Sequence, residues 1–174
     1  MASTLALTIA DLEAMPDDGR RYELIGGAIV MTPAPSTLHQ RALRRLSRTV
    51  EDACPPGHEV FFAPTDLDLP GEQRVEPDLI LAPAGSITHS RLITPVLLVV
   101  EIVSPGSRTN DRVTKRVTYA EAGIPHYWVV DIEAGSIALL RLLDGRYETV
   151  AEGADITTTE PVAVELSISG LIDP

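Results

Sequence analysis

The sequence predicts an α/β or α+β fold in which helices flank a mixed β-sheet. Two near-continuous apolar runs, "PDLILA" and "PVLLVVEIV", are typical of central strands that are covered on both faces. Segments with helical spacing precede and follow these runs, and glycine-containing turns join further apolar segments into hairpins. With 174 residues and a hydrophobic fraction of 44%, the chain can bury a substantial core. We therefore predict one domain over residues 1–174.

The first part of the chain predicts two helices separated by a hairpin. "TIADLEAM" places Thr8 as the N-cap of a short helix. "RRYELIGGAIVM" has two apolar runs around Gly26-Gly27, and hairpins prefer such two-residue turns. Ser36 can cap a second helix that runs to about Ala53, where "CPPG" ends it.

The rest of the chain predicts strands with one helix between them. "HEVFFAPTDLDLP" and the two apolar runs precede a helix from about Thr109 to Ala122, which Gly123 closes. "HYWVVDI" reads as a buried strand, "SIALLRLLDGRYETVA" as a hairpin around Asp144-Gly145, and "PVAVEL" as a final strand. This order of elements completes a mixed sheet with helices on its faces.

Composition limits the classes of partner and compartment. No apolar run reaches the roughly 18 residues that span a bilayer, so we expect no membrane partner. Cys54 is the single cysteine, and the N-terminus lacks a basic leader, which together predict a cytoplasmic protein. The net charge of −11 argues against broad, non-specific binding of nucleic acid. The sequence leaves a homodimer open.

Basic residues are nevertheless concentrated in two segments. Residues 36–48 contain four arginines and no acid, and residues 106–116 contain four bases and one acid. We name Arg41, Arg45 and Arg112 as candidate contacts to nucleic-acid phosphates. The alternative is a solvated helix face whose arginines pair with surface acids.

Two carboxylates pose a problem of burial. Asp78 opens one apolar run and Glu101 lies near the end of the other. Because an unpaired buried charge is costly, each must be exposed, paired or bound to a metal. On neighbouring strands the two would form an oxygen-rich site suited to Mg²⁺ or Mn²⁺. Solvated or salt-bridged carboxylates remain the alternative.

The same segments carry a resemblance to a known family. "PDLILA" followed by "VVEIVSPGSRTNDRVTKRVTYAEAGIPHYWVVD" resembles the Uma-type restriction endonuclease family of the PD-(D/E)XK nuclease-like superfamily. The opening "LTIADLEAMPDDGRRYELIGGAIVMTPAPSTLHQ" is similar to that family's opening, including a histidine at His39. The resemblance covers roughly residues 7–131. It implies a restriction-endonuclease-like core.

The resemblance also implies a function and a set of site residues. The implied activity is Mg²⁺-dependent endonuclease hydrolysis of phosphodiester bonds in DNA, with Asp78 and Glu101 as metal ligands. The carbonyl of Ile102 would add a ligand, and Glu23 would be a further acid near the site. His39 is a further candidate for the site, and the alternative is a structural or exposed histidine at the start of a helix. Neither a Gly-x-Ser-x-Gly elbow nor a His-Glu-x-x-His motif occurs, so serine-hydrolase and zincin functions lack support.

One position departs from the superfamily pattern. Val103 stands where the catalytic lysine usually follows Glu101, and the resemblance assigns that lysine to Lys115 on the following helix. Lys115 is also the only lysine in the chain. An ammonium there could stabilise negative charge on a phosphate, which a planar guanidinium does not do in the same way.

Helical periodicity leaves the orientation of Lys115 open. An apolar stripe of Val113, Val117, Ala120 and Ile124 would turn Lys115 to solvent. A second stripe, which joins Lys115 to Arg112, Tyr119 and Ala122, would turn it to a polar cleft. The first orientation favours the alternative function, a catalytically inactive nuclease-fold binding or scaffold protein.

Overall fold

The computed structural model describes residues 6–32, 34–103 and 111–173 and has a mixed α+β architecture. The helices are α1 (Ile9–Glu13), α2 (Thr37–Asp52), α3 (Arg116–Glu121) and α4 (Ile168–Ile172). The first eight strands are β1 (Arg21–Ile25), β2 (Ala28–Thr32), β3 (His58–Phe62), β4 (Leu67–Leu69), β5 (Gln73–Val75), β6 (Leu79–Pro83), β7 (Leu92–Ile93) and β8 (Leu98–Val103). The last five are β9 (His126–Asp131), β10 (Ser136–Leu143), β11 (Arg146–Gly153), β12 (Asp155–Thr158) and β13 (Val164–Ser167).

The strands form a six-stranded mixed sheet, a smaller sheet and a pair. The six-stranded sheet has the order β11-β10-β9-β8-β6-β3, in which β8 and β9 are parallel and the other pairs are antiparallel. The smaller sheet has the order β2-β1-β5-β4-β7, and β12 pairs with β13. The predicted fold class is confirmed. The separation of a second sheet was not predicted. Nor were β5, β7, β12 and α4, because their short segments carry weak periodic signals.

Local signals in the N-terminal part act as predicted. Thr8 caps α1 in a capping box with Asp11, and Ser36 caps α2 by accepting from the backbone N–H of His39 at 3.2 Å. The β1–β2 turn places Gly26 and Gly27 at φ 58° and 73°, where glycine avoids the steric cost of a Cβ atom. Each of these boundaries therefore lies at a residue type that favours it.

The core lies on both faces of the six-stranded sheet. On one face, α2 buries Leu46 and Val50 against Leu79, Val100 and Trp128. The opposite face packs against the smaller sheet and α3, and the buried residues there include Leu67, Val75, Ile80, Val99, Val103, Tyr119 and Tyr127. All residues of β8 are buried. This confirms that the apolar runs form central strands, and any polar side chain there needs a partner.

The segment that carries Lys115 differs from the prediction. A π-helical turn, Asp111–Lys115, leads into α3, and Ala122 caps α3 before Gly123 at φ 74°. The predicted start at Thr109 lies outside the described residues. No helix in the described part of the chain is long and apolar enough to cross a bilayer.

Of the two orientations that the sequence leaves open for Lys115, the structure has the one that turns it away from solvent. Val113 and Val117 are 63% and 52% exposed, whereas Lys115 is only 3% exposed. Lys115 and Tyr119 face the sheet together, because buried acids on the sheet supply partners for both polar ends. Lys115 and Tyr119, two members of the second stripe, therefore lie on the face that packs.

Candidate active site

Asp78 and Glu101 lie on neighbouring strands of the six-stranded sheet. β6 pairs with β8 with Leu79 opposite Val100, so one further step of this register sets Asp78 opposite Glu101. Side chains of directly opposed residues on antiparallel strands have Cβ atoms about 5 Å apart. Both carboxylates are buried. Their spacing follows from the strand pairing, and their burial requires partners.

Three groups stabilise Asp78. Its Oδ2 accepts a hydrogen bond from the backbone N–H of Ile102 at 2.7 Å and lies 3.2 Å from Nε2 of His39. Arg21 brings Nη1 to 3.6 Å from Oδ1. Burial raises the pKa of Asp78, but His39, the Ile102 N–H and Arg21 together outweigh it and hold the pKa below its usual value. Asp78 is therefore ionised at neutral pH.

Glu101 has the opposite electrostatic character. Its Oε1 accepts from Nζ of Lys115 at 2.9 Å and from the hydroxyl of Tyr119 at 2.6 Å. Burial raises the pKa of Glu101 to about 7, with a further contribution from the negative Asp78 and Glu23, although Lys115 and Tyr119 oppose the shift. Glu101 therefore takes up or releases a proton near neutral pH.

Lys115 joins the two acids that face it. Its Nζ lies 2.9 Å from Oε1 of Glu101 and 3.1 Å from Oε1 of Glu23. Val103, the residue at the usual lysine position, is buried on the same face of the sheet as Glu101 and presents an apolar surface. Lys115 lies on the helical segment that follows β8, and its ammonium supplies the positive charge that Val103 lacks.

Glu23 connects the smaller sheet to this cluster. It lies on β1, and its Oε1 also accepts from the backbone N–H of Glu76 at 2.8 Å. Its Oε2 accepts from the hydroxyl of Thr32 at 3.3 Å. Both carboxylate oxygens are therefore used in contacts that hold β1, β2 and the segment before Asp78 together.

Sequence reasoning missed Arg21 and the role of Tyr119. Arg21 pairs through Nε with Glu76 and also donates to the Glu76 carbonyl, in addition to its contact with Asp78. A signal for Arg21 was present, because it shares a strand face with Glu23 two residues on. For Tyr119 the signal was its four-residue spacing from Lys115 on a helical segment.

Two of the three predicted phosphate contacts, Arg41 and Arg45, are not part of this cluster. Arg41 donates to the carbonyl of Ile172 and Arg45 to the carbonyl of Gly170, each at 2.9 Å. These bonds attach α2 to the C-terminal turn of α4. The side chain of Arg112 lies outside the described part of the structure.

The donor set is compatible with a hard divalent cation. Mg²⁺ is commonly held by one or two carboxylates, with waters and substrate phosphates completing its octahedron. Asp78 and Glu101 are opposed carboxylates, and within the described residues Glu101 uses only Oε1 in hydrogen bonds. The described residues contain no ready-made group of three or more acids, histidines or cysteines positioned for a metal. The residues therefore fit a site that water and substrate would complete.

Comparison with known proteins identifies the fold and the family. The crystal structure of a protein from Anabaena variabilis ATCC 29413, described as a putative nuclease belonging to DUF820, superposes with a TM-score of 0.76. The two chains are 17% identical, and the match covers 95% of this chain and 97% of that one, which shows a shared fold. No curated protein matches the chain. The model of the Uma2 family, "Putative restriction endonuclease", matches residues 9–170, from α1 into α4, and the chain therefore belongs to the Uma2 family.

Proposed function

We propose that this protein is a Mg²⁺-dependent endonuclease that hydrolyses phosphodiester bonds in DNA. The observation that carries the proposal is the buried Lys115 ammonium beside the opposed carboxylates of Asp78 and Glu101, at 2.9 Å from the latter. A lysine is expensive to bury and is retained here as the only one in the chain. Membership of a family described as restriction endonucleases supports a nuclease.

Asp78, Glu101 and the carbonyl of Ile102 would hold Mg²⁺ or Mn²⁺, which when bound supplies Lewis-acid stabilisation of the phosphoryl oxygens. Asp78 is kept charged and oriented by His39 and by Arg21. These contacts supply a group that is anionic at neutral pH.

Glu101 would exchange a proton, and Lys115 would stabilise negative charge. With a pKa of about 7, Glu101 loses its proton readily when a cation competes for its oxygens. The Lys115 ammonium, paired with two carboxylates, is suited to stabilising charge on the attacked phosphate rather than to removing a proton. Glu23 would orient that ammonium.

Cleavage of DNA tests the proposal directly. Purified protein is incubated with supercoiled plasmid and with single-stranded DNA in Mg²⁺, in Mn²⁺ and in EDTA. We expect nicking in either metal and none in EDTA. Asp78→Asn should abolish it, because the amide can still accept from the Ile102 N–H but lacks the charge that holds the metal. Glu165→Gln, an exposed acid on β13, is the matched control.

The alternative function, an inactive nuclease-fold binding or scaffold protein, also has an observation in its favour. Lys115 already satisfies two carboxylates, and the buried ion pairs alone could retain it. Titration of Mn²⁺ by calorimetry separates the two functions. A folded wild-type protein that neither binds Mn²⁺ nor cleaves any of these DNA substrates would establish the scaffold instead.

A further inference from the structure

A groove lies beside the candidate active site, between α2 and the edge strand β3. It has a volume of about 440 Å³, within the range of small-ligand sites, which is about 300–1,000 Å³. Its lining includes Thr37, Gln40 and Arg44 of α2 and Phe62 and Ala63 at the end of β3. The groove therefore combines polar, cationic and aromatic groups.

Phe62 supplies the aromatic surface of the groove. Phe62 is 55% exposed. It is one of only two phenylalanines in the chain. Phe62 lies on the sheet face that α2 covers, because it alternates with Phe61, which packs into the opposite core. An exposed aromatic face of this kind is a stacking surface for a base.

Two cations, Arg41 and Arg44, line the groove. Arg41 and Arg45 are engaged by the carbonyls of α4, whereas the guanidinium of Arg44 has no hydrogen bond or ion pair with any described residue. Residues 36–48 contain no acid, so the groove is locally positive on a chain of net charge −11. This local charge is complementary to one phosphate of a nucleic-acid strand.

The groove is continuous with the candidate active site. Phe62 pairs with Leu79, the residue after Asp78, and the Ala63 N–H donates to the Asp78 carbonyl at 3.0 Å. Neighbouring strands are about 4.8 Å apart and consecutive Cα atoms about 3.8 Å, so the groove begins within about 10 Å of Asp78. That distance is a few nucleotide steps at most, at about 3.4 Å of helix axis per step.

We propose that this groove binds an unpaired nucleotide of the DNA strand next to the point of cleavage, with its base on Phe62 and its phosphate at Arg44. The proposal rests on the proposed nuclease function for its substrate. It adds that the enzyme prefers single-stranded or locally unpaired DNA, because a base within a duplex cannot stack on a side chain. Thr37 and Gln40 supply neutral donors and acceptors at the rim.

Binding without metal tests the groove separately from catalysis. We measure the fluorescence anisotropy of a short labelled single-stranded oligonucleotide, and of its duplex, in EDTA at low ionic strength. Phe62→Ala should weaken single-strand binding about tenfold, since base–aromatic stacking contributes about 1–3 kcal/mol. Phe62→Trp should retain the affinity, and Phe62→Leu should lose it, because leucine keeps apolar bulk but cannot stack.

Arg44→Ala should weaken single-strand binding by about three- to tenfold and reduce the slope of log K against log salt by about 0.7. Matched controls lie at the opposite edge of the sheet, on β11. They are Val150→Ala, which is 55% exposed like Phe62, and Arg146→Ala, an exposed arginine. Both controls should bind as the wild type does, and thermal melts check that each variant is folded.

The possible results separate this proposal from the nuclease function. If Phe62→Ala and Arg44→Ala bind single strands as the wild type does, the groove proposal is wrong, and metal-dependent cleavage by the wild type keeps the nuclease function. Wild-type protein that fails to bind single strands, or that binds duplex more tightly, also overturns the groove proposal. Groove-dependent binding without any cleavage supports the groove and contradicts the nuclease.

Discussion

Lys115 holds its ammonium between two acids from different sheets, at 2.9 Å from Glu101 and 3.1 Å from Glu23. We predict that Lys115→Arg reduces the nicking rate nearly as much as Lys115→Ala, because a planar guanidinium cannot take the position of a compact ammonium. Affinity for Mn²⁺ should survive in Lys115→Arg. Plasmid nicking and calorimetry on the same preparations measure the two effects. A Lys115→Arg variant with the wild-type rate would remove Lys115 from the mechanism.

Glu101 makes the stability of the metal-free protein depend on pH. Its pKa is raised from 4.5 to about 7 in the folded state, so its contribution is fully present below about pH 4.5 and is lost as the pH rises through 7. A shift of this size corresponds to about 3 kcal/mol. Asp78 has a lowered pKa and loses its contribution only at acid pH, below this window.

We therefore predict that the free energy of unfolding falls more between pH 5 and pH 8 in wild type than in Glu101→Gln. Urea denaturation in EDTA at the two pH values measures this difference. Glu165→Gln, which changes an exposed acid on β13, is the control and should keep the wild-type dependence. Equal slopes in wild type and Glu101→Gln would show that Glu101 ionises normally.

At the scale of elements, α3 packs with its polar stripe inward. We predict that Val117→Ala changes the free energy of unfolding by less than about 0.5 kcal/mol, because Val117 is exposed. The same substitution at Val50, which is fully buried in α2, should cost about 2 kcal/mol. Urea denaturation of both variants measures the contrast. Comparable losses at the two positions would mean that the apolar face of α3 is buried after all.

At the scale of the whole molecule, the net negative charge affects any measurement of how added metal ions stabilise the fold. Cations in general screen the self-repulsion of a chain with net charge −11. A specific site should go beyond this effect. At a Mn²⁺ concentration about 100 times its Kd, binding stabilises the fold by about 2.7 kcal/mol, which corresponds to about 5–10 °C in Tm.

We predict such a rise in Tm for wild type and none for Glu101→Gln, with ionic strength matched by NaCl. The amide keeps the shape of Glu101 but removes the charge that would hold the ion. Differential scanning fluorimetry over a Mn²⁺ series provides the measurement. An equal rise in the Glu101→Gln variant would assign the effect to screening and remove Glu101 from the metal site.

The sequence alone determined the local elements and the positions of Asp78 and Glu101 at the ends of apolar runs. Thr8 and Ser36 mark helix starts through their capping side chains, and the Gly26-Gly27 turn fixes the register of the first hairpin. The apolar runs after Asp78 and before Glu101 indicate central strands. These signals act over a few residues, so they can be recognised without knowing what packs against them.

Only the tertiary structure decided which helix face is buried and which side chains complete the cluster. Two stripes run along the helical segment formed by the π-helical turn and α3, and the contacts of Lys115 with Glu101 and Glu23 select between them. Likewise, Arg21 and His39 reach Asp78 from β1 and α2. Periodicity reports only that a segment has two faces. Which one is buried depends on partners from distant parts of the chain, since a buried charge is stable only where the fold supplies its counter-charge.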